Sequence, residues 1–218
     1  NINKLGFYAT PMIVKGAINA NFDNLNPDEL NGTLLLKDFA ISDTKEIFPV
    51  QEMSLTAVST KDSNQINLNS QIADAELKGK FKLTQIFSAL SATINEYYNF
   101  QEKDQKITID PHQYFTLNAK IKDDDLIRKF VPDLKNFETI TLNATYEADS
   151  QKILVNGEIP NLTYGKNTID AGKLQISNND NALQYNLNIG GLKSESFQLK
   201  KINIIGDIVQ NIFNYNVS

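Results

Sequence analysis

The feature that most constrains the fold is a strict alternation of apolar and polar residues, seen in "AELKGKFKL" at residues 75–83. The odd-numbered positions are small or apolar, and the even-numbered positions are Glu or Lys. Alternation with a period of two predicts a β-strand with one dry face and one wet face. The architecture depends on what covers the dry face. A second layer of protein would make a closed core, whereas an uncovered face would be a binding surface.

The same alternation recurs along the chain, and polar turn-forming residues separate the alternating segments. Further alternating segments are "NQINLNSQI" (64–72), "YFTLNAKIK" (114–122), "TITLNATYEA" (139–148), "ALQYNLNIG" (182–190) and "IFNYNVS" (212–218). Intervening turns include 61–64, 149–151 and 178–181. This pattern predicts a mainly antiparallel meander.

Two segments instead show helical spacing. Residues 84–98 repeat apolar side chains every three or four positions, and Thr84 is a candidate N-cap. The segment "DDDLIRKFVPDL" (123–134) predicts a short helix capped within Asp123–Asp125 and ended near Pro132. A weaker third turn is expected at "NPDEL", where Pro27 would begin it.

A repeat divides the chain. The apolar pattern of Met53–Ile72 recurs at Ile140–Ile159, a constant offset of 87 residues (140 − 53), with an Asp-Ser turn in both copies. We therefore predict a first β-repeat unit at 1–104, ending in the amphipathic helix, and a second at 105–218. Together they would form one elongated segment of a longer protein.

Composition and motifs exclude several classes of function. The chain has 21 Lys and Arg against 26 Asp and Glu, a net charge of −5, which argues against nucleic acid as a partner. Without cysteine, thiol chemistry is excluded. The single His112 has no catalytic companions, Asp123–Asp125 fit helix capping better than a cation site, and Gly190–Gly191 suggest a bulge or bend. We expect no enzyme activity, no metal and no cofactor.

The helices are too few to cover the sheet. About ten strands at a spacing of ~4.8 Å make a sheet roughly 45 Å wide. A helix about 10 Å in diameter, lying along the strands, covers only two or three of them. The sheet must therefore close on itself, fold over as a trough, or leave its interior for an apolar ligand, because a large bare apolar face is disfavoured in water.

Twelve residues on the dry phase of the strands are expected to line such a groove. They are Ile66, Leu68, Ile72, Leu77, Phe81, Leu117, Ile140, Leu142, Ile153, Val155, Leu187 and Ile189.

Two stretches resemble one family. The run "AELKGKFKLTQIFSALSATINEYY" is similar to a segment of TamB/AsmA-like envelope proteins, especially those of Bacteroidetes-type bacteria. In that family a strand ending in Gly-Lys-aromatic-x-Leu leads into an amphipathic helix. The stretch that begins "NGTLLLKDFAI" also resembles the family, as a short strand, a loop and a hairpin. The likeness covers residues 14–100 and, in outline, 113–217.

The resemblance implies a mainly β fold, a long curved antiparallel sheet folded as a trough (a β-taco), with one long helix and one or two short helices. It places this trough in the periplasm, where its interior carries phospholipid acyl chains toward the outer membrane. It also implies an inner-membrane anchor, and an Omp85-type outer-membrane barrel contacted through regions outside this chain. One alternative is a scaffold that holds client strands during outer-membrane protein assembly. Another is a closed β-sandwich for cell-surface adhesion or carbohydrate binding, disfavoured because the aromatic residues fall mostly on the dry phase.

Overall fold

The computed structural model describes residues 13–42, 46–99, 109–179 and 181–218, and these form a single sheet of 13 strands. The strands are β1 (Ile13–Asn24), β2 (Asn31–Ser42), β3 (Ile47–Ser59), β4 (Asn64–Ser70), β5 (Ala73–Lys80), β6 (Tyr114–Ile121), β7 (Leu134–Phe137), β8 (Ile140–Glu147), β9 (Lys152–Tyr164), β10 (Asn167–Asn178), β11 (Leu183–Lys193), β12 (Gln198–Val209) and β13 (Ile212–Val217).

The sheet is an antiparallel meander, as predicted, and it is open. Strands follow one another in chain order from β1 to β13, except that β6 pairs with β8, and β7 joins the lower part of β9. Within the described ranges β1 and β13 each pair with one neighbour, so they are the two edges. The closed sandwich is therefore wrong as a fold, because its two packed layers are replaced by one sheet.

The strand registers place the apolar residues on one continuous face. Leu77 of β5 lies opposite Ile66 and Leu117, and the same row continues through Ala144 to Val155. Residues that face each other across an antiparallel pair point to the same side of the sheet. The dry phases of successive strands therefore join into rows that cross the sheet.

Two α-helices accompany the sheet: α1 (Ile86–Asn95) and α2 (Asp125–Phe130). Short 3₁₀ turns occupy Pro27–Glu29 and Leu83–Gln85. The Asp cap of α2 is confirmed, since the Asp124 carboxylate accepts the Leu126 N–H at 2.8 Å. The Thr84 cap is wrong: its hydroxyl donates to the Asp28 carboxylate at 2.8 Å, which ties α1 to the β1–β2 turn instead.

The sheet is concave on its apolar face, and the contacts of α1 establish this. Thr84, just before α1, binds Asp28 in the β1–β2 turn, and the Asn99 N–H donates to Asn211 in the β12–β13 turn at 2.6 Å. In a flat sheet these turns would be about 48 Å apart, at ten spacings of about 4.8 Å. Residues 84–99, of which ten are α-helical, span at most about 35 Å. The sheet must therefore curve around α1.

A line of irregular backbone, which we call the crease, crosses the lower part of β9 to β12. It consists of Pro160, Ala171, Gly190 and Lys201, which lie opposite one another in the register. Ala171 and Lys201 have φ values of 51° and 55°, and a Cβ on Gly190 would lie 2.9 Å from that of Ala171. The predicted bend at Gly190–Gly191 coincides with this line.

The lower region beyond the short central strands is filled by α2 and β7. Strands β4, β5, β6 and β8 have seven or eight residues, whereas β3 and β9 have 13. Lys129 of α2 pairs with Glu46 at 2.7 Å and lies over the Phe48 ring.

The predicted boundary between the two repeat units, at 104/105, lies outside the described residues. Strands β5 and β6, which come before and after it in sequence, pair along their lengths.

The accessible surface is that of an open sheet rather than a compact globule. The chain exposes 14129 Å² at a mass of 24.5 kDa, and a compact protein of this mass exposes about 10,000 Å². No large side chain in the described ranges is completely buried. Half-buried apolar side chains therefore dominate the concave face.

Candidate functional site

Four parallel rows of side chains make up the concave face, and α1 covers only the two nearest to it. The top row passes through Phe115, Tyr146 and Ile153, and the upper row through Leu77 and Val155. We call the two rows beyond them the open groove. Its middle row is Leu34, Leu55, Leu68, Ala75, Ala119, Leu142, Gly157, Leu174, Leu187, Ile204 and Val217, and its lower row includes Met53, Ile140, Ile159, Ile189 and Ile202.

The helix α1 crosses the strand ends rather than lying along the strands, contrary to the prediction. Its Ala89 is 1% exposed within a cluster that contains Phe81, Phe115, Tyr146 and Ile153. The Phe115 ring lies 5.3 Å from that of Tyr146, whose hydroxyl is 3.2 Å from that of Thr93. These contacts make a closed apolar core at one end of the groove, which we call the covered cluster.

The last turn of the α1 segment forms a second contact with the far side of the sheet. Tyr97 packs with Leu183 and Ile208, and its hydroxyl donates to the Asn179 carbonyl at 2.7 Å. Ile94 packs against both this group and the covered cluster. The segment from Ile86 to Tyr97 is therefore held against the sheet from β4 to β12 and covers this end of the groove.

The predicted groove residues separate into two sets. Those that pack in or against the covered cluster are Ile66, Leu77, Phe81, Ile153 and Val155. Those that lie on the apolar face outside it are Leu68, Leu117, Ile140, Leu142, Leu187 and Ile189, and all six are half-buried. Ile72 is in the tight turn between β4 and β5 and belongs to neither set.

Sequence reasoning missed a contact that shapes the groove near β13. The Tyr185 hydroxyl reaches across Gly206 and donates to the Asn214 carbonyl at 3.0 Å. A Cβ on Gly206 would lie 2.4 Å from that hydroxyl oxygen, so only glycine leaves room for the ring. Alternation marks both residues as dry-face positions, but it contains no signal for a tyrosine that spans a neighbouring strand.

A polar cleft of about 540 Å³ opens beside the start of α1. Asp110 lines it and pairs with Lys82 at 3.4 Å. The hydrogen bond from the His112 backbone N–H, aided by Lys82, lowers the pKa of Asp110 below its ordinary value. Lys61 and Lys80 also line the cleft. Phe81 lines the cleft as well and belongs to the covered cluster, so the cleft and the groove are adjacent there.

The residues considered for chemistry are not brought together. The exposed His112 side chain lies 3.1 Å from the Asp149 carboxylate. Arg128 binds Asp123 and Asp125, and both carboxylates raise the pKa of its guanidinium. Across the described ranges no group of three or more His, Cys, Asp or Glu is arranged to hold a metal. The helices in those ranges are too short or too polar to span a bilayer.

The open groove contrasts with the opposite face of the sheet in its chemistry. Between Leu142 and Ala144 the strand turns Asn143 outward, and Asn67 and Asn118 occupy the same outer row. Charged pairs such as Glu158 with Lys173, 3.3 Å apart, also lie outside. The groove can therefore hold an apolar molecule, and it offers no charged group along its middle row.

Comparison with known proteins identifies no relative. No family model matches the sequence, and no curated protein or solved structure matches it significantly.

Proposed function

We propose that the open groove binds and guides the acyl chains of phospholipid, in a periplasmic section of a TamB/AsmA-like envelope protein. The observation that carries this proposal is a continuous concave apolar face that α1 leaves uncovered below the upper row. Its side chains, such as Leu142 and Leu187, are half-buried, although they are on the dry phase of a sheet. A contiguous exposed apolar surface of this kind is typical of a binding site.

The energetics favour an acyl chain that moves. Removing a methylene from water is worth about 0.8 kcal/mol, or about 12 kcal/mol for a whole palmitoyl chain. An open groove shields only part of that surface, so binding at any one point is weaker than this limit. Because the middle row has no charged residue, neighbouring positions along it bind a chain similarly, and the headgroup remains in water. Such a surface suits transfer between the inner and outer membranes.

Photo-crosslinking of matched pairs tests the proposal. A photoreactive residue is placed at Leu68 or Leu142 in the groove and, as controls, at Asn69 or Asn143, the next residues on the opposite face. The purified chain is incubated with vesicles of phosphatidylethanolamine and phosphatidylglycerol. We expect lipid adducts at the two leucines and not at the two asparagines. Equal labelling of both faces, or none, would refute the proposal.

A second candidate is the scaffold role in outer-membrane protein assembly, with an Omp85-type barrel contacted elsewhere, and the exposed apolar side chains of β13 favour it. Phe213, Tyr215 and Val217 are 51–70% exposed, and β13 has no charged residue. Exposed apolar side chains of this kind offer a packing surface for a client strand. Crosslinks from Tyr215 to nascent barrel proteins in cells, with no lipid at Leu142, would select this function.

A further inference from the structure

We propose that the acyl chains lie along the strands, with their methyl ends against α1 and the glycerophosphate at the crease. This inference rests on the proposed lipid function and gives the bound lipid a direction. The two ends of the open groove differ in chemistry and closure, and that difference determines the direction.

The α1 end is closed and apolar. Leu90 and Ile94 pack against the covered cluster, and the helix "IFSALSATIN" has no charged residue. Because the segment from Ile86 to Tyr97 crosses the strand ends from β4 to β12, a chain that runs up this part of the groove meets it. A charged headgroup placed there would lose its hydration without gaining an ionic partner on α1.

The crease end is charged and exposed. Lys200 and Lys201 come directly before Ile202, the β12 residue of the lower row. Both lysines are exposed, and within the described ranges neither has an ion-pair partner. A lysine ammonium near a lipid surface is worth about 1 kcal/mol toward an anionic phosphate. The crease therefore offers an anionic phosphate two exposed lysines, whereas α1 and the middle row have no charged residue.

The length between these ends also fits. On β9 the upper row is at Val155 and the crease is at Pro160, five residues further on. At about 3.4 Å per residue this distance is about 17 Å. One leaflet of a bilayer has about 15 Å of hydrocarbon, half of the usual core thickness. The length of the groove from the upper row to the crease is therefore close to the hydrocarbon thickness of one bilayer leaflet.

Quenching of single tryptophans tests the direction, since the chain has no tryptophan of its own. The reporters are V155W near α1 and I159W near the crease, both on β9, with N143W on the outer face as control. The probe is phosphatidylglycerol with a doxyl quencher either next to the glycerol or near the terminal methyl. We expect the methyl-end probe to quench V155W more and the glycerol-end probe to quench I159W more.

The outcomes separate the two proposals. Equal quenching of both reporters by both probes would leave lipid binding intact and overturn the direction, as would the reverse order. No quenching at either reporter would overturn the lipid function itself. If V155W does not fold, as judged by circular dichroism, L77W in the same row replaces it.

The lysines give an independent measurement. The double variant K200Q/K201Q is compared with K61Q/K80Q, which removes two exposed lysines at the α1 end. We expect K200Q/K201Q to weaken retention of phosphatidylglycerol by about fivefold per lysine, and to leave uncharged diacylglycerol unchanged. Equal weakening by both double variants would mean that the phosphate is not held at the crease, and would overturn this assignment.

Discussion

The covered cluster and the open groove belong to the same face of the same sheet, yet they differ in what lies above them. Ile153, Phe115 and Tyr146 are 3–6% exposed under α1, whereas Leu142 and Ile189, two or more rows away, stay half-buried. The strands have the same alternation in both regions. Alternation therefore identifies a dry face but does not show what packs against it. For the open groove we propose that lipid does.

A matched pair of isoleucines tests this difference most strongly. Ile153→Ala, in the covered cluster, is expected to lower the free energy of unfolding by about 2–5 kcal/mol, because it leaves a cavity among packed rings. Ile189→Ala, in the open groove, is expected to cost about 1 kcal/mol or less, since solvent already reaches the site. Urea denaturation measures both. Equal losses would mean that protein covers both regions.

Two glycines on the same face sharpen the comparison. In Gly206→Ala the new Cβ would lie 2.1 Å from the Asn214 carbonyl oxygen, so Tyr185 or β13 must move. We expect a loss of about 1–3 kcal/mol. In Gly157→Ala, within the open groove, the nearest contact is an ordinary 3.9 Å to Leu174, and the expected change is within about 0.5 kcal/mol. Similar losses in thermal unfolding would contradict the crowding seen at Gly206.

The meander, the dry face and both helices could be predicted from the sequence, because the period of apolar residues is a local property, as is the Asp124 cap of α2. The path of α1 could not, because it depends on contacts distant in sequence, such as Thr84 with Asp28 and Tyr97 with Asn179. The pairing of the strands agrees with the predicted repeat only in part. Both hairpins form, but Ala57 pairs with Ile66 while its counterpart Ala144 pairs with Val155, two residues later than the constant offset implies.

The crease left a signal in the sequence that alternation reasoning passed over. In β9 the apolar phase changes between Ile159 and Leu162, and in β11 it changes between Ile189 and Leu192. A step of three residues cannot keep one face in a regular strand. The left-handed φ at Ala171 marks this line in the structure, although alanine is an unlikely residue for that conformation.

Removing the Tyr146 hydroxyl tests how much its hydrogen bonds to α1 contribute to stability. This hydroxyl lies 3.2 Å from the Thr93 hydroxyl and 3.3 Å from the Ala89 carbonyl oxygen, inside the covered cluster. Tyr146→Phe is expected to cost about 1 kcal/mol, because the buried partners on α1 lose their hydrogen bonds. Tyr215→Phe is the control, since Tyr215 is 70% exposed and should change unfolding little. Equal effects would mean that the hydroxyl contributes nothing to holding the helix.

The smallest expected effect is a pH dependence at the α1 end. Because the pKa of Asp110 is lowered in the folded state, this carboxylate stabilises the fold above its unfolded pKa, near 4, and that contribution is lost as the pH falls through the folded pKa. Asp110→Asn should therefore be slightly less stable than the parent protein at pH 7, and the difference should disappear in acid. Asp62→Asn, in the exposed β3–β4 turn, is the control in thermal unfolding across this range. A difference between parent and Asp110→Asn that stays constant down to the most acidic pH would show that Asp110 acts through hydrogen-bond geometry and not through its charge.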